Sequence, residues 1–272
     1  MNLNLLEKVI IVTGGASGIG ESICKKLAEE VAFPCILDYN EKNTEKVVKE
    51  IKQKYGIDAF SVLTELTNPS ACKDAIDSIL FKFGRINGLV NNAGINDGVG
   101  LEKGNYEKFV ASLDKNVGHY FTVTHYALPA LKKSAGSIVN ICSKTAVTGQ
   151  GGTSGYAAAN GERFALTKEW AAELISFSIH VNAVVVSECW TPQYQWWINQ
   201  QPNPEEKLKE ITSKIPLENR MTTPGEIADT VLFLLSPNSK SINGQFFFVD
   251  GGYVFLDRGI RNNDKAFLDE SY

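Results

Sequence analysis

The chain has 272 residues, of which 43% are hydrophobic and 21% charged, and its formal net charge is −4. This length and composition fit one large α/β domain, and no linker rich in proline, glycine or serine divides the chain. The negative net charge argues against a nucleic-acid-binding face, which would be basic. No apolar run is long enough to span a bilayer, and the start of the chain lacks the layout of a signal peptide. We therefore expect a cytoplasmic protein that binds neither nucleic acid nor membrane.

Segments typical of strands and helices alternate along the chain. The predicted strands are Lys8–Thr13, Cys35–Asp38, Ala59–Leu63, Gly88–Asn91, Ser137–Ile141, His180–Val186 and Gln245–Val249. The predicted helices are Glu21–Glu30, Glu41–Tyr55, Ser70–Phe83, Tyr106–Lys132, Gly155–Ile175 and Gly225–Leu235. Repeated βα units of this length predict a single α/β domain in which a doubly wound parallel sheet carries helices on both faces.

A glycine cluster separates the first strand from the first helix. It reads Thr13-Gly14-Gly15-Ala16-Ser17-Gly18-Ile19-Gly20. Glycines at this position allow a tight turn and let a pyrophosphate approach the backbone and the helix N-terminus. An ordinary glycine-rich turn is the alternative interpretation. The predicted cofactor contacts in this cluster are Gly14, Ser17, Gly18, Ile19 and Gly20.

The end of the second strand favours one form of the cofactor. A carboxylate at Asp38 would accept hydrogen bonds from the adenosine ribose and repel a 2′-phosphate. Ser17 and Tyr39 provide no cation for such a phosphate. We therefore expect NAD rather than NADP.

Residues 190–220 interrupt the βα alternation. Trp190, Trp196 and Trp197 lie here in a stretch rich in proline, glutamine and asparagine. We interpret this insertion as a candidate lid over a substrate pocket. The alternative is a surface helix with a packed aromatic face.

The cysteines and histidines show no spacing typical of a metal site. The five cysteines are scattered, so we interpret them as free thiols in a reducing compartment. His119, His125 and His180 form neither a triad nor a metal-binding pattern, and we interpret them as structural. We expect no metal.

Several motifs together resemble the short-chain dehydrogenase/reductase family. They are Thr13–Gly20, Asn91-Asn92-Ala93-Gly94, Asn116, Ser143, Tyr156 and Val249-Asp250-Gly251-Gly252, and the resemblance runs from about Leu5 to Arg258. It implies one Rossmann domain over residues 1–272 and a homo-tetramer or homo-dimer. Cofactor and substrate would lie at the carboxyl edge of the sheet.

The resemblance also implies roles for individual residues. Asn116 would help to hold a proton-relay water, Ser143 would orient the substrate oxygen, and Tyr156 would be the acid/base that accompanies hydride transfer. The further cofactor contacts that it implies are Asn92, Ala93, Gly94, Tyr156 and Thr191.

Position 160 departs from the family pattern. The family carries a lysine four residues after the tyrosine, on the same helix face, whereas this chain has Asn160. A cation about 5 Å away at an effective dielectric constant of about 20 favours an ionised tyrosine by roughly 3 kcal/mol. Its loss would reduce the ionised population about 100-fold unless another cation replaces it. We interpret Lys144 and Arg163 as surface or interface charges, and we expect Asn160 to bond the nicotinamide ribose.

A second departure concerns the substrate. The segment Ser143–Gly151, Glu188 and the tail from Asp250 to Arg258 resemble the sugar-oxidising branch that includes L-fucose dehydrogenases. A carboxylate at the mouth of a pocket suits a polyhydroxylated substrate and repels an anionic one. An exposed loop glutamate is the alternative interpretation. The predicted substrate contacts are Ser143, Tyr156, Glu188 and Trp190.

Three functional hypotheses follow from these motifs. The first is an NAD-dependent dehydrogenase acting on a sugar or polyol. The second is a 3-oxoacyl-thioester reductase, which Asp38 disfavours because biosynthetic reductases usually use NADPH. The third is an NAD-binding protein with little or no catalysis, and its support is Asn160.

Overall fold

Seven short strands form one parallel sheet in the computed structural model, which describes residues 2–256. The strands are β1 (Val9–Thr13), β2 (Phe33–Asp38), β3 (Phe60–Leu63), β4 (Gly88–Asn91), β5 (Ser137–Ser143), β6 (His180–Val186) and β7 (Phe246–Val249). Their order in the sheet is β3-β2-β1-β4-β5-β6-β7. The chain leaves β1 toward one edge of the sheet and then returns to build the other half from β4 onward. Such a switch point opens a crevice at the carboxyl ends of the strands.

Nine helices in the described part of the chain flank the sheet. They are α1 (Gly18–Glu29), α2 (Glu41–Tyr55), α3 (Pro69–Phe83), α4 (Tyr106–Leu113), α5 (His119–Ser134), α6 (Ser154–Glu173), α7 (Pro192–Asn199), α8 (Pro204–Thr212) and α9 (Pro224–Leu235). One hydrophobic cluster packs α1 and α9 on one face of the sheet, and a second packs α3 and α5 on the other. The predicted single-domain, doubly wound α/β architecture is confirmed. None of the described helices is long and apolar enough to cross a membrane.

The predicted helix Tyr106–Lys132 is divided in the structure. A π-helical turn, Asp114–Gly118, separates α4 from α5. The buried Asn116 side chain lies in this turn and bonds out of the helix, because its Oδ1 accepts the Ile95 N–H at 2.8 Å. Single π-helical turns inside α-helices are frequent at functional sites. Strand β5 also runs on to Ser143 instead of ending at Ile141, which brings Ser143 to the edge of the sheet.

The insertion at 190–220 contains two short helices, α7 and α8. Ile198, Ile211, Ile215 and Met221 form a small hydrophobic cluster between them. Trp196 on α7 remains 64% exposed. The segment is therefore an ordered helical pair with its own core, and its role as a lid stays a prediction.

Four buried polar side chains link the central strands to the helices behind them. Asn91 Nδ2 donates to Asn140 Oδ1 at 3.0 Å and to Thr124 Oγ1 at 3.1 Å. Asn140 Nδ2 donates in turn to Thr167 Oγ1 at 2.9 Å. The network thus joins β4, β5, α5 and α6, the elements that carry the residues described next.

Removing Asn140 is expected to weaken this junction. The change Asn140→Ala removes one hydrogen-bond partner from each of the buried side chains Asn91 and Thr167. It should therefore lower the free energy of unfolding by about 1–3 kcal/mol. Urea denaturation measures the difference. The exposed Asn199→Ala is the matched control and should change stability by less than about 0.5 kcal/mol. Equal stability of the two variants would contradict a structural role for the network.

Candidate active site

A cavity of about 760 Å³ opens at the carboxyl end of the sheet, where the segments following β1 and β4 diverge. This volume is in the range of cofactor and ligand sites. The predicted site residues that line it are Gly14, Ser17, Gly18, Ile19, Asp38, Asn92, Ala93, Gly94, Ser143, Tyr156 and Thr191. Gly20, Asn116, Asn160, Glu188 and Trp190 are not among the described residues that line it.

The turn between β1 and α1 requires its glycines. Gly14 and Gly18 have φ angles of +64° and +56°, a backbone region that favours glycine. A Cβ atom on Gly20 would lie 2.1 Å from the Gly14 carbonyl oxygen. The Ser17 side chain does not cap α1, so backbone N–H groups of the first turn are available to an anion.

Thr13 and Asn92 fasten this turn to the segment after β4. Asn92 Nδ2 donates to the Thr13 carbonyl at 2.9 Å and to the Gly14 carbonyl at 3.2 Å. The backbone N–H groups of Asn92 and Ala93 donate to Thr13 Oγ1 at 2.9 and 3.1 Å. These bonds fix the width of the crevice.

Asp38 ends β2 beside this turn. Its Oδ2 accepts the Ala16 N–H at 3.1 Å and its Oδ1 accepts the Asn40 N–H at 2.9 Å. The neighbouring cavity-lining side chains Tyr39, Asn40 and Asn43 are uncharged. Free N–H groups, a glycine-rich turn and an adjacent carboxylate fit the diphosphate and ribose of a dinucleotide.

Ser143 and Tyr156 bring two hydroxyl groups to the other half of the cavity. Ser143 lies at the end of β5, and its Oγ accepts the Thr145 N–H at 3.2 Å, which leaves the hydroxyl proton free to donate. Tyr156 lies in the first turn of α6. Both side chains line the cavity.

Asn160 ties these two elements together from behind. It is 0% exposed, and its Oδ1 accepts the Ser143 N–H at 2.8 Å. Its Nδ2 donates to the Tyr156 carbonyl at 2.8 Å. The predicted contact with the nicotinamide ribose is therefore corrected, because the amide is engaged inside the protein and holds the backbone of Ser143 and Tyr156.

The interpretation of Arg163 as a surface or interface charge is wrong. Arg163 is 2% exposed, and its guanidinium lines the cavity. Nε donates to the Asn116 carbonyl at 2.9 Å, and Nη1 donates to the Ile141 carbonyl at 3.2 Å and to Asn160 Oδ1 at 3.1 Å. Helix spacing places the Cα atoms of positions 156 and 163 about 10 Å apart along the axis. The long side chain closes part of this distance because helical side chains point toward the N-terminus.

Lys144 is also buried, contrary to the interpretation from sequence. It forms an ion pair with Glu188, and its Nζ lies 3.7 Å from the centroid of the Tyr253 ring. Glu188 Oε2 accepts the Tyr194 hydroxyl proton at 2.6 Å. Both carboxylate oxygens of Glu188 thus have partners within the protein, and Glu188 is not among the described residues that line the cavity, so its role as a direct substrate acceptor stays a prediction. The spacing of Lys144 and Glu188 in the chain gives no signal for their pairing.

Tyr194 and Gln193, which sequence reasoning missed, line the cavity from α7 instead of Trp190. Burial and the negative charge of Glu188 raise the pKa of Tyr194, so its hydroxyl stays protonated. The pattern of the 190–220 insertion indicated a substrate-facing segment. It did not indicate which of its side chains line the cavity.

His119 also lines the cavity, although the sequence favoured a purely structural role. Burial and the nearby charge of Arg163 lower its pKa to about 3, so the ring is neutral at ordinary pH. Within residues 2–256, no group of three or more histidine, cysteine or acidic side chains could hold a metal ion.

The short-chain dehydrogenase family described as enoyl-(acyl carrier protein) reductase matches residues 14–254. The chain therefore belongs to the short-chain dehydrogenase/reductase family, and it is an oxidoreductase. This family binds nicotinamide cofactors.

Individual relatives span nearly the whole chain. The 3-oxoacyl-(acyl-carrier-protein) reductase of Thermotoga maritima is 34% identical over 93% of this chain and 100% of its own. The crystal structure of Cj0485 dehydrogenase is 38% identical with a TM-score of 0.91, over 96% of this chain and 99% of its own. The aldohexose dehydrogenase of Thermoplasma acidophilum is 28% identical with a TM-score of 0.84, over 94% and 97% of the two chains.

Removal of one partner from the buried Lys144–Glu188 pair is expected to destabilise the protein. The change Lys144→Met leaves a buried carboxylate without its cation and should cost about 3–5 kcal/mol of unfolding free energy. The double change Lys144→Met with Glu188→Leu should cost less, because no unpaired charge remains. Denaturant unfolding of both single variants and the double variant gives the interaction energy. If the losses of unfolding free energy in the two single variants add up to the loss in the double variant, the ion pair contributes nothing to stability.

Proposed function

We propose that the protein is an NAD-dependent dehydrogenase that interconverts a hydroxyl and a carbonyl group of a small sugar or polyol. The observation that carries this proposal is the juxtaposition within one cavity of two hydroxyl groups, from Ser143 and Tyr156, with a glycine cradle flanked by Asp38. Family membership supports the hydride chemistry. The proposal adds to this chemistry the substrate class, a sugar or polyol, and the choice of NAD over NADP.

The side chains divide the chemistry between them. Bound NAD would supply the hydride acceptor. Ser143 Oγ would donate a hydrogen bond to the substrate oxygen, and Tyr156 would accept the hydroxyl proton as the carbonyl forms. In the reductive direction the same phenol returns the proton. Asn160 keeps the backbone of both residues in register through its bonds to the Ser143 N–H and the Tyr156 carbonyl.

The substrate end of the cavity supports a polar, uncharged ligand. Gln193 and Tyr194 present hydrogen-bonding groups on one wall. Glu188 acts behind this wall by accepting the Tyr194 hydroxyl proton, so it fixes the ring instead of contacting the ligand. The aldohexose dehydrogenase among the structural neighbours adds support for a sugar.

A second candidate function is reduction of a 3-oxoacyl thioester. It is favoured by the 34% identity to the 3-oxoacyl-(acyl-carrier-protein) reductase of Thermotoga maritima. The Asp38 carboxylate is the feature against it, because that reaction class usually uses NADPH. A non-catalytic role, suggested by Asn160, is disfavoured because Ser143 and Tyr156 both line the cavity.

The proposal extends to the state of the protein in the cell. We expect a cytoplasmic homo-tetramer or homo-dimer. All five cysteines are free thiols, which supports a reducing compartment. Tyr106, Val110 and Phe121 of α4 and α5 are exposed apolar side chains, which supports association of subunits.

Cofactor choice can be tested without turnover. Nicotinamide fluorescence should show tighter binding of NADH than of NADPH by at least about tenfold, or ~1.4 kcal/mol, because Asp38 repels a 2′-phosphate. The change Asp38→Asn removes the charge but keeps an oxygen that can accept the Ala16 N–H, so the turn should stay intact. The difference in affinity between NADH and NADPH should become smaller. Equal binding of the two cofactors by the wild type would refute the NAD assignment.

Substrate class can be tested with a panel of aldoses, polyols, simple secondary alcohols and 3-oxoacyl thioesters. Turnover of at least one aldose or polyol with NAD is expected, and Tyr156→Phe should lower kcat on the order of 100-fold. Tyr194→Phe should raise KM for sugars more than for a simple alcohol, because the ring loses its bond to Glu188. The exposed Tyr106→Phe is the matched control. If only the thioesters are turned over, the sugar or polyol proposal is wrong and reduction of a 3-oxoacyl thioester takes its place.

A further inference from the structure

We propose that Tyr194 is a specificity-determining residue, which accepts a hydrogen bond from a hydroxyl group of the substrate other than the one that reacts. Glu188 and Lys144 act through it as positioning residues, because they commit its phenol proton to the protein. The inference rests on the proposed dehydrogenase function for the identity of the ligand. The arrangement of the three side chains follows from their contacts alone.

Tyr194 is held at the wall of the cavity by several contacts. It lines the cavity from the first turn of α7. Its backbone N–H donates to Thr191 Oγ1 at 3.2 Å, and its ring lies edge-on to the Trp197 ring with the two centroids 5.5 Å apart. Its hydroxyl group donates to Glu188 Oε2 at 2.6 Å. The backbone, the ring and the hydroxyl group of Tyr194 therefore each have a partner that holds them in place.

The chemistry of the two groups fixes the direction of the bond between Tyr194 and Glu188. An ionised carboxylate carries no proton, so it can only accept. Burial and the negative charge of Glu188 raise the pKa of Tyr194, so the phenol keeps its single proton at neutral pH. That proton lies in the bond to Glu188. Toward any other group the phenol oxygen offers only a lone pair, which makes Tyr194 an obligate acceptor.

Lys144 holds the carboxylate in this role from the other side. Its ammonium group pairs with Glu188 Oε1, and an ammonium group can only donate. The side chains of Lys144 and Glu188 are 7% and 15% exposed, so water competes little for either group. Lys144 Nζ also lies 3.7 Å from the centroid of the Tyr253 ring, which stabilises the cation at this place. Lys144 and Tyr194 thus both donate to the carboxylate between them.

An obligate acceptor in the cavity wall selects a ligand that donates. A hydroxyl group can donate to Tyr194, whereas a ketone, a thioester or a carboxylate would set its oxygen against the phenol lone pair. Gln193, the neighbouring side chain of the wall, carries both donors and acceptors and imposes no such choice. The reacting oxygen would be engaged by Ser143 and Tyr156. We therefore expect a substrate with a second hydroxyl group, such as a diol, a larger polyol or a sugar.

The carboxamide N–H of a nicotinamide cofactor is another donor that could meet Tyr194, and cofactor affinity separates it from a substrate hydroxyl. Tyr194→Phe should leave NADH affinity, measured by fluorescence, within about twofold of the wild-type value. Tyr106→Phe, at an exposed tyrosine, is the matched control. A loss of NADH affinity in Tyr194→Phe without a loss of polyol binding would assign the bond to the cofactor and overturn the proposal.

Substrate analogues test the direction of the bond. In an aldose or polyol that the wild type oxidises, each hydroxyl group that does not react is replaced in turn by hydrogen and by fluorine. At one position both replacements should lower kcat/KM by about 3- to 10-fold, because neither can donate. In Tyr194→Phe the parent compound should fall to the level of its two analogues, whereas Tyr106→Phe should behave as the wild type. Equal kcat/KM for parent and analogues at every position in the wild type would overturn the proposal.

Glu188→Gln tests the positioning role. The amide keeps the size of the carboxylate, and with its oxygen on Lys144 it turns its NH2 group toward Tyr194 and releases the phenol proton. The fluorinated analogue, which can accept, should then regain part of its loss relative to the deoxy analogue. Tyr194 should also titrate at lower pH, because the charge that raises its pKa is gone, and ultraviolet spectra against the same variant carrying Tyr194→Phe isolate this titration. Unchanged selectivity in a folded Glu188→Gln, verified by circular dichroism, would contradict the role of Glu188.

Binding without turnover separates this inference from the proposed function. Calorimetry measures the affinity of the same compounds for the complex of the protein with NADH. If polyol binding depends on one hydroxyl group and on Tyr194 but no alcohol is oxidised, the acceptor role stands and the dehydrogenase function fails. If alcohols are oxidised but diols and polyols have no advantage over matched mono-alcohols, the dehydrogenase chemistry stands and the acceptor role is wrong.

Discussion

The carboxyl ends of β1 and β4 diverge into a crevice, and the hydrogen bonds between Thr13 and Asn92 set its width. One asparagine amide bonds two carbonyls of the β1 turn, and one threonine hydroxyl accepts two N–H groups from the opposite segment. The Gly14 turn, the free N-terminus of α1 and the Asp38 carboxylate all take their positions from this junction. The rest of the cavity is built outward from it because β4 pairs with β5, and β5 ends at Ser143.

Charged side chains of both signs line the cavity, namely Asp38, Glu65, Lys115 and Arg163. Asp38 lies at the end of β2, whereas Arg163 lies on α6, the helix that also carries Tyr156. Neither Asp38 nor Arg163 is paired with an oppositely charged side chain in the described chain, so each can act on a charged ligand. By contrast Lys144 and Glu188 neutralise one another, and Glu188 also bonds Tyr194 at the start of α7.

Asn160 and Arg163 have to be understood as a pair. The amide of Asn160 carries no charge, but its oxygen accepts hydrogen bonds from both Arg163 Nη1 and the Ser143 N–H. The guanidinium of Arg163 bonds the carbonyl of Asn116, in the π-helical turn that separates α4 from α5. Backbone groups from three elements therefore converge on one buried cation. Such convergence fixes the position of the guanidinium, because each of its donors has a set direction.

Ser143 and Tyr156 were identified through the resemblance to a family, whereas the sequence by itself determined the parallel sheet, the glycine turn and the position of Asp38 at a strand end. These follow from local patterns, since strand ends and helix starts are encoded by residues close together in the chain. Only the tertiary structure decided the environments of Arg163 and Glu188. A long side chain reaches across several elements, and whether it points into the protein depends on carbonyls and charges far away in sequence. Spacing along a helix gives the positions of Cα atoms and not the direction of the groups that they carry.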